Sequence, residues 1–114
     1  MNDEFWEYLQ QLVDQSQIIF DRPKGSTHQR YFNKVYPVDY GYLEGTTSID
    51  GGGVDIWIGS LGEKKVNGVL GTVDLLKKDT ELKILYDCTE DEIGSIMKFV
   101  NADQMRAFYL ERKK

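Results

Sequence analysis

Apolar and polar positions alternate along the middle of this chain, and a segment near each end shows the longer spacing of a helix. Apolar residues three and four apart predict a helix over residues 2–15. A second predicted helix opens at Thr89, because Thr89 and Glu92 have the spacing of a capping box, and it ends at Asn101. Between the helices, short apolar runs predict strands at 17–22, 54–59, 68–76 and 81–86; residues 105–110 suit a strand or a short helix.

Short strands joined by turns, with two peripheral helices, indicate one domain over residues 1–114 that is mainly β with flanking helices (α+β). The pattern alone leaves a small β-barrel and an open sheet as alternatives. A chain of 114 residues is long enough to bury a core without disulfides. The single cysteine, Cys88, has no internal partner and is expected to pack as a small apolar residue in a reducing compartment.

Charge and hydropathy argue against nucleic acid and membranes as partners. The net charge of −5 argues against general nucleic-acid binding. No apolar run reaches the length of a membrane span, and the acidic beginning MNDEFWEYLQ differs from a basic signal region, so we expect a cytoplasmic protein without membrane contact. Exposed strand edges, together with Trp6 or Trp57, are candidate surfaces for a homo-oligomer.

The most informative stretch is Tyr36 to Asp55, which reads YPVDYGYLEGTTSIDGGGVD. Its three consecutive glycines can adopt positive φ, which permits a tight reversal or a close approach to a ligand. The simplest interpretation is a hairpin turn that leads into the strand beginning at Val54. Asp55 alternates with the apolar residues of that strand, so its side chain is expected on the face opposite Ile56 and Ile58.

Two pairs of aspartates share a spacing of five: Asp50 with Asp55, and Asp74 with Asp79, while Asp21 ends an earlier strand. If these strand ends converge, the five carboxylates need cations between them, because neighbouring like charges oppose ionisation. Oxygen ligands select hard cations, so the implied metal is Mg²⁺, with Mn²⁺ as the alternative. The competing interpretation is five unrelated turn and edge residues.

A cluster of basic residues precedes the aspartate pairs. Arg22, Lys24, Arg30 and Lys34 fall within thirteen residues, with His28 among them. Such a cluster can form a solvated loop or hold an anionic ligand.

The residues Tyr36, Pro37, Tyr40, Gly41, Tyr42 and Thr46, followed by Asp50 and Asp55, make this region similar to the signature of the soluble family I inorganic pyrophosphatases. The match extends from about Asp21 to Lys83. The resemblance implies an OB-like five-stranded β-barrel with N-terminal and C-terminal helices. It also implies Mg²⁺-dependent hydrolysis of diphosphate to two phosphates by a two-metal-activated water.

The resemblance also assigns roles to individual residues. Asp50, Asp55, Asp74 and Asp79 match metal ligands, and Asp21 matches an acidic ligand that is usually glutamate. Arg30 matches a phosphate-binding lysine and Tyr40 a tyrosine of the site, with Lys24 or His28 as helpers in binding the substrate. The implied catalytic residues are Asp55, Arg30 and Tyr40.

Three departures from the family pattern remove the general base and reduce the phosphate half of this site, while the metal half is retained. Gly52 stands where the family places its general-base aspartate, the segment between Tyr31 and Tyr36 is short, and a lysine is missing near Val100. Lys34, Lys77 or Lys78 are candidate substitutes. Two alternative functions therefore stay open: a non-catalytic domain that binds metal or phosphate ligands, and an OB-type module for protein or single-stranded nucleic acid that uses exposed aromatic residues. The candidate stacking residues of that module are Tyr31, Phe32, Tyr40 and Tyr42.

Overall fold

The structure, a computed structural model, describes residues 3–48 and 51–113, which form a sheet of six strands flanked by two helices. The helices are α1 (Asp3–Asp14) and α2 (Glu90–Val100). The strands are β1 (Ile18–Arg22), β2 (Asp39–Leu43), β3 (Val54–Ile58), β4 (Val66–Asp74), β5 (Asp79–Tyr86) and β6 (Met105–Glu111). The predicted fold class, mainly β with a helix near each end, is confirmed.

The strands lie across the sheet in the order β1-β2-β3-β5-β4-β6. All neighbouring strands are antiparallel except β3 and β5, which are parallel. The predicted strands and helices begin and end within about two residues of the observed ones. Residues 105–110, which suited a strand or a helix, lie in a strand.

The sheet is open, which corrects the expectation of a closed five-stranded barrel. β6 is a sixth strand, and it pairs with β4 from Gly68–Glu111 to Asp74–Met105. Because β6 uses the hydrogen-bonding groups on the outer edge of β4, that edge is not available to β1. Within residues 3–48 and 51–113, no pairing joins the two edge strands β1 and β6.

The stretch from Tyr36 to Asp55 contains β2, a connecting loop and the start of β3. β2 and β3 pair antiparallel from Asp39–Ile58 to Leu43–Val54, so the hairpin predicted here is confirmed. Gly51 has a φ of 84°, a left-handed conformation that glycine adopts without a Cβ penalty. Ile49 and Asp50 lie outside the described residues.

Both faces of the sheet carry an apolar core, because successive residues of a strand point to opposite faces. Ile56 belongs to one core and Trp57 to the other. The core beneath α1 consists of Trp6, Leu9, Val13, Leu43, Ile56, Val66, Val69 and Ile84. The core beneath α2 consists of Tyr36, Val38, Trp57, Leu70, Leu85, Cys88, Ile93, Ile96 and Val100. Each helix thus covers one face of the sheet.

The capping box that opens α2 is present as predicted. The backbone N–H of Glu92 donates to the Thr89 hydroxyl at 3.1 Å, and the backbone N–H of Thr89 donates to Glu92 Oε1 at 2.8 Å. Glu92 Oε1 also accepts from the backbone N–H of Ser60 at 3.1 Å. These bonds connect the first turn of α2 to the segment that follows β3.

Trp6 and Trp57 are 3% and 1% exposed, which corrects the expectation that either could form a surface for self-association. Their rings fill the two cores instead. Cys88 is also buried, as predicted, and burial raises the pKa of its thiol to about 12. Neither described helix is long and apolar enough to cross a membrane.

Gly41, between Tyr40 and Tyr42, allows β1 and β2 to approach each other closely. A Cβ atom at this position would lie 1.9 Å from the backbone oxygen of Ile19 on β1. Since backbone cannot move aside as a flexible side chain can, only glycine fits. The same register places Tyr40 opposite Arg22.

We expect Gly41→Ala to lower the free energy of unfolding by about 2–3 kcal/mol, because the added methyl overlaps with the neighbouring strand. Gly94 in α2 is the matched control, since a Cβ there meets no atom within 4 Å. Gly94→Ala should raise the free energy of unfolding by about 1 kcal/mol through helix propensity. Urea denaturation followed by tryptophan fluorescence measures both; effects of the same sign would contradict this explanation.

Candidate functional site

A cavity of about 560 Å³ opens on the α2 side of the sheet, where β3, β4 and β5 carry polar residues. The segment between β1 and β2 and the turn after α2 complete its wall. The described charged residues that line it are six carboxylates and five basic side chains: Asp21, Asp55, Asp74, Asp79, Glu81 and Asp103, with Arg22, Arg30, Lys34, Lys77 and Lys83. A volume of this size is typical of sites for small ligands.

The alternation of side chains along the strands brings the central charges to one face. Asp55 lies two positions before Trp57 on β3, and Lys83 lies two positions before Leu85 on β5. Trp57 and Leu85 belong to the core beneath α2, so Asp55 and Lys83 point to the same side of the sheet. The prediction that Asp55 faces away from the isoleucines is confirmed.

Four of the five aspartates predicted as metal ligands line this cavity, namely Asp21, Asp55, Asp74 and Asp79. Asp74 and Asp79 are the last residue pair of the β4–β5 hairpin, which explains their spacing of five. The fifth, Asp50, lies outside the described residues. Within the described ranges, no three aspartate, glutamate, histidine or cysteine side chains are arranged so that they could hold a metal ion.

The predicted phosphate-binding residues divide between the cavity and the outer surface. Arg30, His28 and Tyr40 line the cavity, as do Lys34 and Lys77, two of the candidate substitutes. Lys24 is not among the described lining residues; its backbone N–H donates to Asp39 Oδ1 at 2.8 Å. The Lys34 ammonium lies 3.6 Å from Asp103 Oδ2 and 4.4 Å from the centre of the Phe99 ring.

The centre of the site is a buried ammonium group that sequence reasoning missed. Lys83 Nζ donates to Asp55 Oδ2 at 2.7 Å, to the Tyr40 hydroxyl at 2.8 Å and to Glu81 Oε2 at 3.1 Å. An ammonium group has three N–H donors, and these three oxygens match them. We refer to Lys83, Asp55, Glu81 and Tyr40 as the Lys83 cage.

The Lys83 cage holds its charges in place. Burial opposes the charged form of Lys83, but contact with Tyr40 and the Asp55 carboxylate outweighs it and raises the pKa of the ammonium. Burial raises the pKa of Tyr40, which therefore remains a neutral phenol. Lys83 is thus a permanent cation, bound to Asp55, which the resemblance identifies as a metal ligand.

The Lys83 cage does not fit a resident Mg²⁺ ion on Asp55. Magnesium requires about six oxygens at roughly 2.0–2.1 Å. The oxygens around Lys83 Nζ lie at 2.7, 2.8 and 3.1 Å, the spacing of ammonium hydrogen bonds. These oxygens accommodate the ammonium group of Lys83.

An aromatic wall adjoins the Lys83 cage. The rings of Tyr40 and Trp57 have centroids 4.5 Å apart, and those of Tyr36 and Phe99 are 4.7 Å apart. Two buried polar atoms of lining residues, Trp57 Nε1 and Glu81 Oε1, have no hydrogen-bond partner among the described residues. A buried polar group is costly unless it is hydrogen-bonded, so these two atoms mark places where water or a ligand can bind.

His28 organises the segment that borders the cavity opening. Its Nδ1 accepts hydrogen bonds from the backbone N–H groups of Arg30 at 3.0 Å and Tyr31 at 3.2 Å. Burial, followed by the nearby charges of Lys34, Arg22 and Arg30, lowers its pKa. The imidazole is therefore held in its neutral form, with Nδ1 as an acceptor.

The chain is similar in fold to several solved structures of bacterial inorganic pyrophosphatases. The chain is similar to one from Neisseria gonorrhoeae, with a TM-score of 0.58 and 18% identity over 78% of this chain and 77% of that chain. It is similar to one from Helicobacter pylori, with a TM-score of 0.60 and 14% identity over 82% and 81% of the two chains. A third, from Coxiella burnetii, gives a TM-score of 0.58 and 14% identity over 82% of each chain.

No protein-family model and no curated protein matches the chain. At identities of 14–18%, the likeness to the solved structures establishes a shared fold. The pyrophosphatase-like fold expected from the sequence is therefore confirmed.

His28 should titrate below its ordinary pKa of 6.5. Because the folded state favours the neutral imidazole, the unfolded chain binds the proton first as the pH falls. The stability that His28 contributes is thus present above pH 6.5 and is lost as the pH falls toward the folded-state pKa. His28 is the single histidine of the chain, so NMR can follow its ring protons without overlap.

Lys34→Met provides the matched comparison for this titration. Removing the cation that, after burial, lowers the His28 pKa most should move the NMR midpoint upward, toward the ordinary value. A wild-type midpoint at or above 6.5, or no response to Lys34→Met, would show that the local charges do not act as described.

Proposed function

We propose that this chain is a phosphoanhydride hydrolase whose substrate is the magnesium complex of inorganic diphosphate. The observation that carries the proposal is a cavity that brings predicted carboxylates together with basic side chains, on a pyrophosphatase-like fold. The buried, unpaired Cys88 fits a reducing compartment, so the proposed setting is the cytoplasm.

The mixed charge of the cavity favours the complex over either of its components. Free diphosphate is repelled by six carboxylates, and a free divalent ion is repelled by five basic side chains. The complex presents phosphate oxygens to the basic residues, and a hard cation already coordinated by phosphate to one of the aspartates Asp21, Asp74 or Asp79. Mg²⁺, or Mn²⁺ in its place, therefore enters the proposal as part of the substrate.

Arg30 is the principal phosphate-binding residue of the proposal. A guanidinium can donate two parallel hydrogen bonds to phosphate oxygens. His28 shapes the backbone that carries Arg30, through the bond that its Nδ1 accepts from the Arg30 N–H. Lys34 supplies a second cation at the same border of the cavity.

The Lys83 cage fixes the position of Asp55 and Tyr40 in the proposal, and it does not bind phosphate, because two carboxylates surround the one ammonium and take up its donors. Asp55 and Tyr40 hold the ammonium by the bonds of 2.7 and 2.8 Å described above. When water adds to one phosphorus, the bond to the bridging oxygen breaks, and the two protons of the water end on the two product phosphates. The cation of the complex and the Arg30 guanidinium stabilise the negative charge that develops during this step.

Gly52 predicts a slow reaction. It stands where the resemblance places a general-base aspartate, and it is not among the described lining residues. General-base catalysis typically contributes about 10²–10⁴-fold to the rate. The chain is therefore expected to retain binding and electrostatic stabilisation but to lack this factor.

We expect phosphate release from magnesium diphosphate, measured at high enzyme concentration, to be slow in the wild-type chain and about tenfold or more faster in Gly52→Asp. Asp55→Asn should lower the rate, because it loosens the hold on Lys83. If neither the wild-type chain nor Gly52→Asp releases phosphate, the chain is not a diphosphate hydrolase.

Arg30→Ala should weaken binding of magnesium diphosphate by about tenfold or more, because a charge-assisted pair of hydrogen bonds is lost. The matched control is Arg106→Ala, an exposed arginine on β6 that does not line the cavity. Isothermal titration calorimetry measures both; equal affinities for the two variants would remove Arg30 from the site.

A second function, non-catalytic binding of the same ligand, is favoured by two observations. Asp55 is already neutralised by Lys83, and no aspartate stands at position 52. A binding domain would show calorimetric binding of magnesium diphosphate without phosphate release, in the wild-type chain and in Gly52→Asp alike.

A further inference from the structure

The Lys83 cage has the composition of a cation-binding site whose cation is a side chain. Two carboxylates and a phenol surround one ammonium, and the three hydrogen bonds use all three of its donors. The side chains of Lys83, Glu81 and Asp55 are 9%, 11% and 25% exposed. The charges are therefore poorly screened by solvent, and their interactions are strong.

We propose that Lys83 is a built-in counter-cation that excludes divalent metal ions from Asp55 and Glu81 in the free protein. A divalent ion on the same oxygens would lie within a few Å of the ammonium and be repelled by it. Asp55 and Glu81 thus remain closed to metal as long as the ammonium is present.

This inference concerns the free protein and does not depend on whether diphosphate is hydrolysed. It implies that Asp55 and Glu81 could bind a metal ion if the Lys83 ammonium were removed. Without the ammonium, Asp55 and Glu81 would carry two uncompensated negative charges beside the Tyr40 hydroxyl, an oxygen-rich set suited to a hard cation. Glu81 Oε1, buried without a partner in the described part of the chain, would be a further ligand.

The test is binding of Mn²⁺ alone, without diphosphate, measured by electron paramagnetic resonance of the free ion. Lys83→Ala should bind Mn²⁺ at least about tenfold more tightly than the wild-type chain, because a nearby positive charge is removed. Lys83→Arg keeps the charge and should resemble the wild type. The double variant Lys83→Ala with Asp55→Asn should lose the gain.

Lys77→Ala is the matched control for general electrostatics. Lys77 lines the same cavity but is exposed, so its removal should change Mn²⁺ affinity by no more than about twofold. An equal gain in Lys77→Ala and Lys83→Ala would overturn the proposal, as would a folded Lys83→Ala protein without any gain.

Asp55→Asn in the otherwise wild-type chain keeps the test decisive if Lys83→Ala does not fold. If Lys83 closes Asp55 to metal, the wild-type chain has no Mn²⁺ site there, and Asp55→Asn leaves Mn²⁺ binding unchanged. Wild-type Mn²⁺ binding that disappears in Asp55→Asn would show that Asp55 is an open metal ligand, and the proposal would be wrong. Neither result depends on phosphate release, so this inference and the proposed hydrolase activity can fail separately.

Discussion

The contact between the Lys83 ammonium and its three oxygen acceptors connects the fold to the candidate site. A buried charge is strongly destabilising unless it is paired and hydrogen-bonded. The acceptors come from three adjacent strands: Tyr40 from β2, Asp55 from β3 and Glu81 from β5. A slip of one residue in any of these strands would turn an acceptor to the opposite face and leave the charge unsatisfied.

The cavity lies where the side chains on one face of each strand change from apolar to polar. On the side of the sheet covered by α2, β3 carries Asp55 and then Trp57, and β5 carries Glu81 and Lys83 before Leu85. α2 packs over the apolar ends, where its own Ile93, Ile96 and Val100 are buried. The polar ends are left beyond the helix, so the same alternation builds a core at one end and a charged cavity at the other.

Much of this arrangement can be predicted from local pattern. The helices, the β2–β3 hairpin and the aspartates at the β4–β5 turn all depend on residues close in sequence. The open sheet could not be predicted, because the edge of β4 that β6 covers is set by long-range pairing. Lys83 was missed for the same reason: it is one lysine in a strand, and its meaning depends on a partner 28 residues away.

The parallel contact between β3 and β5 has a kinetic consequence. β3 and β5 are separated in the sequence by the whole of β4, whereas only a short turn separates β4 from β5. Contacts between distant parts of a sequence form slowly, because loop closure costs entropy before the attraction is gained. The charged centre needs this distant contact as well as the hairpin that carries Lys83, so we expect it to form after the hairpin.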